Sequence, residues 1–247
     1  MGLPQYQRHD AIDALRGLAM VWMTVFHLCF NLNHFAYLRA DFYNDPFWTA
    51  QRSVIVSLFL FCAGIGQALA WGQGQSRARF GRRWLQIAGC ALLVTAGSYL
   101  MYPGSFIYFG ILHGIALMLL VVRATAGWGR WLWLLGALPW LVYWGTPWLY
   151  AAWPGMDVFN APALNWLGLV SRKPVTEDYV PLAPWLGIMW WGVASGNWLQ
   201  QRQSGLLQLK LPRVLQWLGQ LGRWSLSYYM LHQPVLIGLL LLVGLLR

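Results

Sequence analysis

Three of the five histidines in this chain of 247 residues lie within apolar stretches. His27 stands in VFHLCF, His113 in GILHGI and His232 in YMLHQP. A neutral imidazole can take a proton from a hydroxyl or an amine near neutral pH, because its unperturbed pKa is about 6.5. Each of the three is therefore a candidate general base, and each is also a candidate for a hydrogen-bonded residue between two packed helices.

The stretch around His27 combines apolar residues with a polar helical face. At about 100° per residue, Arg16, His27 and His34 fall within about 20° of one another on a helix, and Asn31 lies about 60° away. Ionisable groups in hydrocarbon are costly and usually face a protein-lined cavity. We therefore predict that residues 10–35 form the functional helix and that His27, Asn31 and His34 are catalytic candidates.

His113 and His232 are weaker candidates for a catalytic role than His27. Gly110 and Gly114 flank His113 at GxxxG spacing, which permits close helix approach, so a structural role is favoured over a catalytic one. His232 lies about as far from the inner membrane face as His27 lies from the outer face. Because the two histidines would then lie at opposite depths of the membrane, His232 is not expected to share one small site with His27. We predict instead that His232 packs between helices or contributes to a cofactor site near the inner face.

A basic run, RARFGRR, places Arg79, Arg82 and Arg83 close together. Arginine suits phosphate through bidentate hydrogen bonds, so the run is a candidate site for a nucleotide-bearing cofactor. Sorting of positive charge to the inner side of a membrane also explains the run and is favoured. Arg16 is a further cofactor candidate, although Asp13 precedes it by one helical turn and is expected to neutralise it.

Two carboxylates and a tyrosine occur together just before a later apolar stretch. Glu177, Asp178 and Tyr179, in TEDYVPLAPW, are candidates for binding a polar substrate or for orienting a histidine. An ordinary solvated loop end is an equally good interpretation of the two carboxylates.

The elements that position these residues are predicted to be membrane helices. Of all residues, 58% are hydrophobic and 10% are charged, whereas a soluble domain has about 25% charged residues. We predict an all-α, polytopic transmembrane helix bundle that forms a single domain, 1–247, with a cytoplasmic N-terminus. The seven predicted spans are 12–33, 49–71, 84–101, 106–123, 131–146, 181–200 and 224–246. The segment 147–180 could add a short or re-entrant helix around Ala161–Val170 and thereby an eighth span.

The charged residues set the orientation, and the motifs exclude several functions. With the N-terminus inside, 12 of the 17 Lys and Arg residues lie on the inner side, which explains the net charge of +10 without nucleic acid. The three cysteines lie in apolar stretches without paired spacing, so neither a disulfide nor a metal site is expected. The chain has no Walker motif and no G-x-S-x-G elbow, which disfavours phosphate-loop enzymes and serine hydrolases.

Five stretches, taken together, resemble one family of membrane proteins. They are Asp13 to Leu32, SLFLFCAGIGQAL (57–69), PGSFIYFGILHGIAL (103–117), DYVPLAPWLGI (178–188) and LGRWSLSYYMLHQPVL (221–236). Their content and order resemble the compact bacterial membrane acyltransferases that are grouped with the catalytic domain of heparan-α-glucosaminide N-acetyltransferase. The resemblance spans nearly the whole chain.

This resemblance implies acyl transfer across a membrane. An acetyl or other acyl group would pass from cytosolic acetyl-CoA or acyl-CoA to an amino or hydroxyl group of a sugar on the outer side. Independently of the resemblance, no metal is expected, because the sequence has no cluster of metal-ligating residues. The family's essential histidine lies at the outer part of the first helix or in the loop that follows it. By position it maps to His27, with His34 as the alternative because His34 opens that loop. Whether it acts as a base or carries the acyl group stays open. Asn31 stands where many relatives have an acidic residue, and Glu177 or Asp178 is a candidate to replace that carboxylate.

The expected partners are the lipid bilayer of a bacterial cytoplasmic (inner) membrane and a sugar or glycan acceptor, and a homodimer is left open. Two other classes of function are weighed: a small transporter or flippase with proton-relay histidines, and a non-catalytic membrane assembly partner. The sequence shows no inverted repeat and no matched pair of broken helices, which disfavours a transporter. Dependence on acyl-CoA would separate the acyltransferase from both alternatives.

Overall fold

The computed structural model describes residues 9–202 and 204–245, which contain no β-strand, and this confirms the all-α prediction. The described residues form two compact units, a central unit of residues 60–202 and a terminal unit of residues 9–59 and 204–245. The single domain expected from the sequence stays a prediction. The α-helices are α1 (Asp10–His34), α2 (Pro46–Gly72), α3 (Arg77–Met101), α4 (Ile111–Thr125), α5 (Trp131–Ala152), α6 (Leu182–Arg202), α7 (Ser204–Leu207), α8 (Gln216–Arg223) and α9 (Ser225–Leu245).

Each of the seven predicted spans corresponds to a helix, namely α1 to α6 and α9. Within residues 9–202 and 204–245, four helices, α1, α2, α3 and α9, are long and apolar enough to cross a membrane, and the shorter α4 is also apolar. Helices α5 and α6 have 22 and 21 residues and are rich in tryptophan, proline and glycine. The four apolar helices indicate a membrane protein, whereas the count of seven spans and the cytoplasmic N-terminus stay predictions.

Two helix starts differ from the prediction. Helix α3 begins at Arg77, before the predicted start at 84, because the Ser76 hydroxyl accepts a hydrogen bond from the Arg79 amide at 3.3 Å and caps the helix. The run RARFGRR is therefore helical and is not a loop. Helix α4 begins at Ile111 rather than at 106, so residues 102–110 form a connection without an α-helix.

The structure has only a short 3₁₀ helix where a further helix was expected around Ala161–Val170. Residues 153–181 contain two 3₁₀ helices, Pro154–Asn160 and Asn165–Leu167. The second ends at Gly168 with φ of +88°, a left-handed conformation that glycine adopts without steric cost. At about 2 Å per residue, neither 3₁₀ helix approaches the ~30 Å of a bilayer core, so neither supplies an eighth span.

Close glycine contacts join α1 to α8 in the terminal unit. A Cβ atom at Gly17 would overlap the carbonyl group of Leu218, and a Cβ atom at Gly222 would overlap the carbonyl group of Asp13. Both overlaps are with backbone atoms, so the two helices touch along their main chains. Because α9 follows directly after α8, this contact also sets where α9 begins along α1.

In the central unit, tryptophan rings and glycines interlock between α5 and α6. Trp191 of α6 lies over Gly136, and its Nε1 donates a hydrogen bond to the carbonyl of Trp133 at 3.1 Å. Trp140 of α5 lies in the same way over Gly187 of α6. The rings of Trp140 and Trp191 are nearly parallel, with 6.4 Å between their centroids. Each helix thus supplies both a ring and the gap that receives a ring.

We expect Gly17→Ala to destabilise the protein, because the added Cβ would force α1 and α8 apart. Overpacking of this kind costs about 1–3 kcal/mol. The thermal unfolding midpoint in detergent measures the effect, and the matched control is Gly238→Ala in α9, where a Cβ meets no atom within 4 Å. An unfolding midpoint of Gly17→Ala at or above that of the control would contradict the close packing of α1 on α8.

Candidate functional site

A pair of histidines lies between α1 and α9 in the terminal unit. His27 Nδ1 and His232 Nε2 are 2.8 Å apart, a hydrogen-bond distance, and the two rings stack with 5.0 Å between their centroids. His232 is buried, with 6% of its surface exposed, whereas His27 is half-buried. His27 Nε2 has no hydrogen-bond partner among residues 9–202 and 204–245, so one ring nitrogen is left for chemistry.

Two further polar pairs lie beside the histidines on the same interface. The hydroxyl oxygens of Thr24 and Tyr228 are 2.7 Å apart, and the Asn31 amide donates to Gln233 Oε1 at 2.8 Å. Positions 24, 27 and 31 of α1 follow the spacing of one helical face, and each pairs with a residue of α9. This pairing matters because unsatisfied polar groups in hydrocarbon cost several kcal/mol.

The prediction that His232 does not share a site with His27 is wrong. A count of residues from the two span ends gives opposite depths for His27 and His232 only if both ends lie at fixed membrane faces. In the structure α8 lies against Gly17 and Asp13, so α9 begins alongside the first turns of α1. His232 therefore reaches His27, and it belongs with the catalytic candidate rather than with a separate cofactor side.

The other predicted residues of α1 lie at its two ends. Arg16 Nη1 is 2.8 Å from Asp13 Oδ1, which confirms the expected ion pair, and Arg223 Nε lies 3.7 Å from the same carboxylate. Asp13 is buried, and its negative charge lies between the two arginines, where it neutralises Arg16.

His34 is the last residue of α1 and is exposed, with its ring packed edge-on against Phe35.

His113, in the central unit, is held by both of its ring nitrogens. The Gly110 amide donates to Nδ1 at 3.3 Å, and Nε2 lies 3.0 Å from the hydroxyl of Thr95, which donates to the Ile107 carbonyl at 2.8 Å. Because an amide N–H can only donate, Nδ1 accepts and Nε2 carries the hydrogen in the neutral ring. No lone pair remains for a substrate, which favours a structural role for His113.

The two predicted carboxylates connect loops of the central unit. The Ser105 hydroxyl donates to Glu177 Oε1 at 2.6 Å, and the Ile111 amide donates to Asp178 Oδ2 at 2.7 Å. Asp178 thereby caps the first turn of α4, where the helix dipole favours a negative charge. Both side chains are half-buried and serve the fold in this way. Their role in substrate binding stays a prediction.

A buried asparagine that sequence analysis missed, Asn165, bonds to Tyr179, the third residue predicted to bind substrate. Asn165 is 1% exposed, its side-chain amide N–H donates to the Tyr108 hydroxyl at 2.7 Å, and its backbone carbonyl accepts from the Tyr179 hydroxyl at 2.5 Å. Burial raises the pKa of both tyrosines, so their hydroxyls stay protonated and able to donate. The signal in the sequence is a single polar residue in PALNWLGL, which does not by itself reveal these partners.

The predicted phosphate-binding arginines lie on the first two turns of α3. Arg79, Arg82 and Arg83 are exposed, and Arg83 donates a hydrogen bond to Gln86 at 3.2 Å. The first turn of α3 contains no acidic residue. A helix N-terminus already carries a partial positive charge, so cations gathered there repel the helix dipole and attract anions.

One family model, described as heparan-α-glucosaminide N-acetyltransferase, catalytic, matches residues 8–234, which is most of the chain. The chain belongs to this family. The match confirms the resemblance found in the sequence, and it includes all three pairs between α1 and α9. The family identity indicates a membrane enzyme of the acetyltransferase type. No curated protein and no solved structure matches the chain.

We expect His113→Ala to lower the free energy of unfolding by about 1–3 kcal/mol, because the Gly110 amide and the Thr95 hydroxyl lose their partner. Thr95→Val breaks the same network from its other side. The double variant should therefore lose less than the sum of the two single variants. Unfolding midpoints in detergent measure all three. Fully additive losses, or a His113→Ala protein as stable as the wild type, would contradict the structural role.

Proposed function

We propose that this protein is a membrane acyltransferase that moves an acetyl or other acyl group from cytosolic acyl-CoA to an amino or hydroxyl group of a sugar on the outer side. Membership of the acetyltransferase family supports the reaction class. The observation that carries the proposal is the unequal use of the two nitrogens of His27. Nδ1 is tied to His232, while Nε2 has no partner in the described part of the chain, and a general base needs such an available lone pair.

In the proposed reaction, His27 acts as the general base. Nε2 takes the proton of the acceptor hydroxyl or amine, and the acceptor oxygen or nitrogen attacks the carbonyl carbon of the thioester. The carbon–sulfur bond then breaks, and the leaving thiolate of CoA takes the proton from His27. The products are free CoA and an ester or an amide. Nε2 is also the atom that would hold the acyl group if an acyl-histidine formed first.

Asn31 is the proposed donor to the oxyanion that develops on the thioester carbonyl. Its amide gives one N–H to Gln233 and keeps a second. The hydroxyl of Tyr228 is less suitable. Thr24 donates its own hydroxyl hydrogen to the Met20 carbonyl at 2.8 Å, so the Tyr228 hydroxyl has to donate to Thr24.

We propose that Arg79, Arg82 and Arg83 bind the phosphates of CoA. Guanidinium groups form bidentate, charge-assisted hydrogen bonds with phosphate, and the N-terminus of α3 adds to the positive potential. Arg16 is a weaker candidate, because its guanidinium is bonded to Asp13. The same proposal includes a cytoplasmic location for these arginines and a bacterial inner membrane as the compartment of the protein.

We expect His27→Ala to lower kcat by about 10²–10⁴-fold, the usual contribution of a general base. The variant should still fold in detergent, with a lower unfolding midpoint, because the buried His232 Nε2 loses its partner. The measurement is transfer of labelled acetyl from acetyl-CoA to an amino sugar by the protein in nanodiscs. His34→Ala is made in parallel, because His34 is the alternative base. Unchanged turnover in His27→Ala together with a loss in His34→Ala would move the role to His34.

We expect replacement of Arg79, Arg82 and Arg83 by glutamine to raise the KM for acetyl-CoA at least about tenfold, since one charge-assisted hydrogen bond is worth about 1.5–3 kcal/mol. The matched control replaces Arg202, Lys210 and Arg213 by glutamine. These three residues are also exposed cations, so the net charge changes equally. Equal KM values for the two triple variants would show that the arginines of α3 serve topology alone.

A further inference from the structure

We infer that His232 is a positioning residue that holds His27 in the tautomer whose Nε2 lone pair is free. The role of His232 in catalysis rests on the proposed function, but the assignment of the His27 tautomer does not. It follows from the directions of two consecutive hydrogen bonds, each of which is fixed by the chemistry of its acceptor.

A backbone carbonyl fixes the direction of the first bond. His232 Nδ1 lies 2.6 Å from the carbonyl oxygen of Tyr229, one turn earlier in α9. A carbonyl oxygen can only accept a hydrogen bond, so Nδ1 of His232 must carry the hydrogen. In a neutral imidazole the other nitrogen then carries a lone pair and no hydrogen, so His232 Nε2 can only accept a hydrogen bond.

The hydrogen bond between His232 and His27 therefore also has a fixed direction. His27 Nδ1 lies 2.8 Å from the bare Nε2 of His232, so His27 Nδ1 must be the donor. A neutral His27 with its hydrogen on Nδ1 has its lone pair on Nε2. This is the nitrogen that has no partner within the described ranges, 9–202 and 204–245.

The surroundings of His232 keep it in one orientation and neutral. Its ring is parallel to that of Tyr228, with 6° between the planes, and it contacts the ring of Tyr229. No carboxylate bonds to His232 in the part of the chain that the structure describes, so no negative charge bonded to the ring favours a second proton. A doubly protonated His232 would reverse the bond and place the hydrogen of His27 on Nε2.

His232 thus takes the place of the carboxylate that commonly orients a catalytic histidine. Asn31 cannot supply that charge and is bonded to Gln233. When His27 Nε2 gains a proton, its Nδ1–H bond to the lone pair of His232 becomes charge-assisted and therefore stronger. A neutral acceptor does this without the cost of burying a permanent negative charge between apolar helices.

Nitrogen-15 NMR of ring-labelled histidine in nanodiscs tests the tautomer without any activity assay. The signals of His27 are identified by their loss in His27→Ala. We expect the hydrogen on Nδ1 in the wild type and in His232→Gln, whose amide oxygen can still accept. His232→Leu removes the acceptor and should move the hydrogen towards Nε2. A wild-type His27 with its hydrogen on Nε2, or an unchanged tautomer in His232→Leu, would overturn the inference.

Turnover provides a second readout that a merely structural role would not move. We expect His232→Leu to lower kcat about 10²-fold, with a nearly unchanged KM for acetyl-CoA, and His232→Gln to recover most of this loss. The matched control is Thr24→Val, which breaks the neighbouring pair between α1 and α9 without touching either imidazole. Equal losses of kcat in His232→Leu and Thr24→Val would overturn the positioning role.

The failure of this inference and the failure of the proposed function give different results. If the wild-type protein transfers no acyl group to any acceptor, the proposed function fails, while the NMR signals of His27 still decide the tautomer. If the wild type is active and His232→Leu keeps its kcat, the positioning role fails and the proposed function stands.

Discussion

The hydrogen bond between His27 and His232 is the interaction on which the proposed site depends, because it ties up one ring nitrogen of His27 and leaves the other without a partner among the described residues. Lipid offers no hydrogen bonds, so polar side chains on apolar helices must pair with one another. The close contact of α1 with α8 at Gly17 brings α9 alongside α1 and makes this pairing possible. One nitrogen of His27 is used for helix pairing, and the other, which has no partner in the described part of the chain, is the proposed base. The packing of small residues and the chemistry of the imidazole are therefore linked through a single interface.

His113 shows how strongly the neighbours of a histidine decide its role. It lies in an apolar helix, as His27 does, but an amide and a hydroxyl occupy its two nitrogens. The residue type is the same in the two cases, and the difference lies in the partners. In this protein the catalytic candidate is the histidine with an incomplete set of hydrogen bonds, and the structural candidate is the one with a complete set.

Sequence analysis predicts the helices well because length and hydropathy are local properties. It also identifies the family through short stretches in a fixed order, as the family match over residues 8–234 confirms. It fails on the pairing of His27 with His232, which are 205 positions apart, because membrane depth alone does not specify how two helices meet. The early start of α3 had a local signal, since Ser76 is a residue type that caps helices. Asn165 had no such signal, because its partners come from separate loops.

Calorimetry of acetyl-CoA binding to the purified protein in nanodiscs tests most directly whether the chain is an acyltransferase. It needs no knowledge of the acceptor. The predicted result is binding with a Kd between about 1 μM and 1 mM, the usual range of enzyme–substrate affinity, and similar binding by His27→Ala, which loses the base but not the CoA contacts. Absence of binding to acetyl-CoA and to longer acyl-CoAs, by protein that unfolds cooperatively, would contradict acyl transfer and leave the family match as shared architecture.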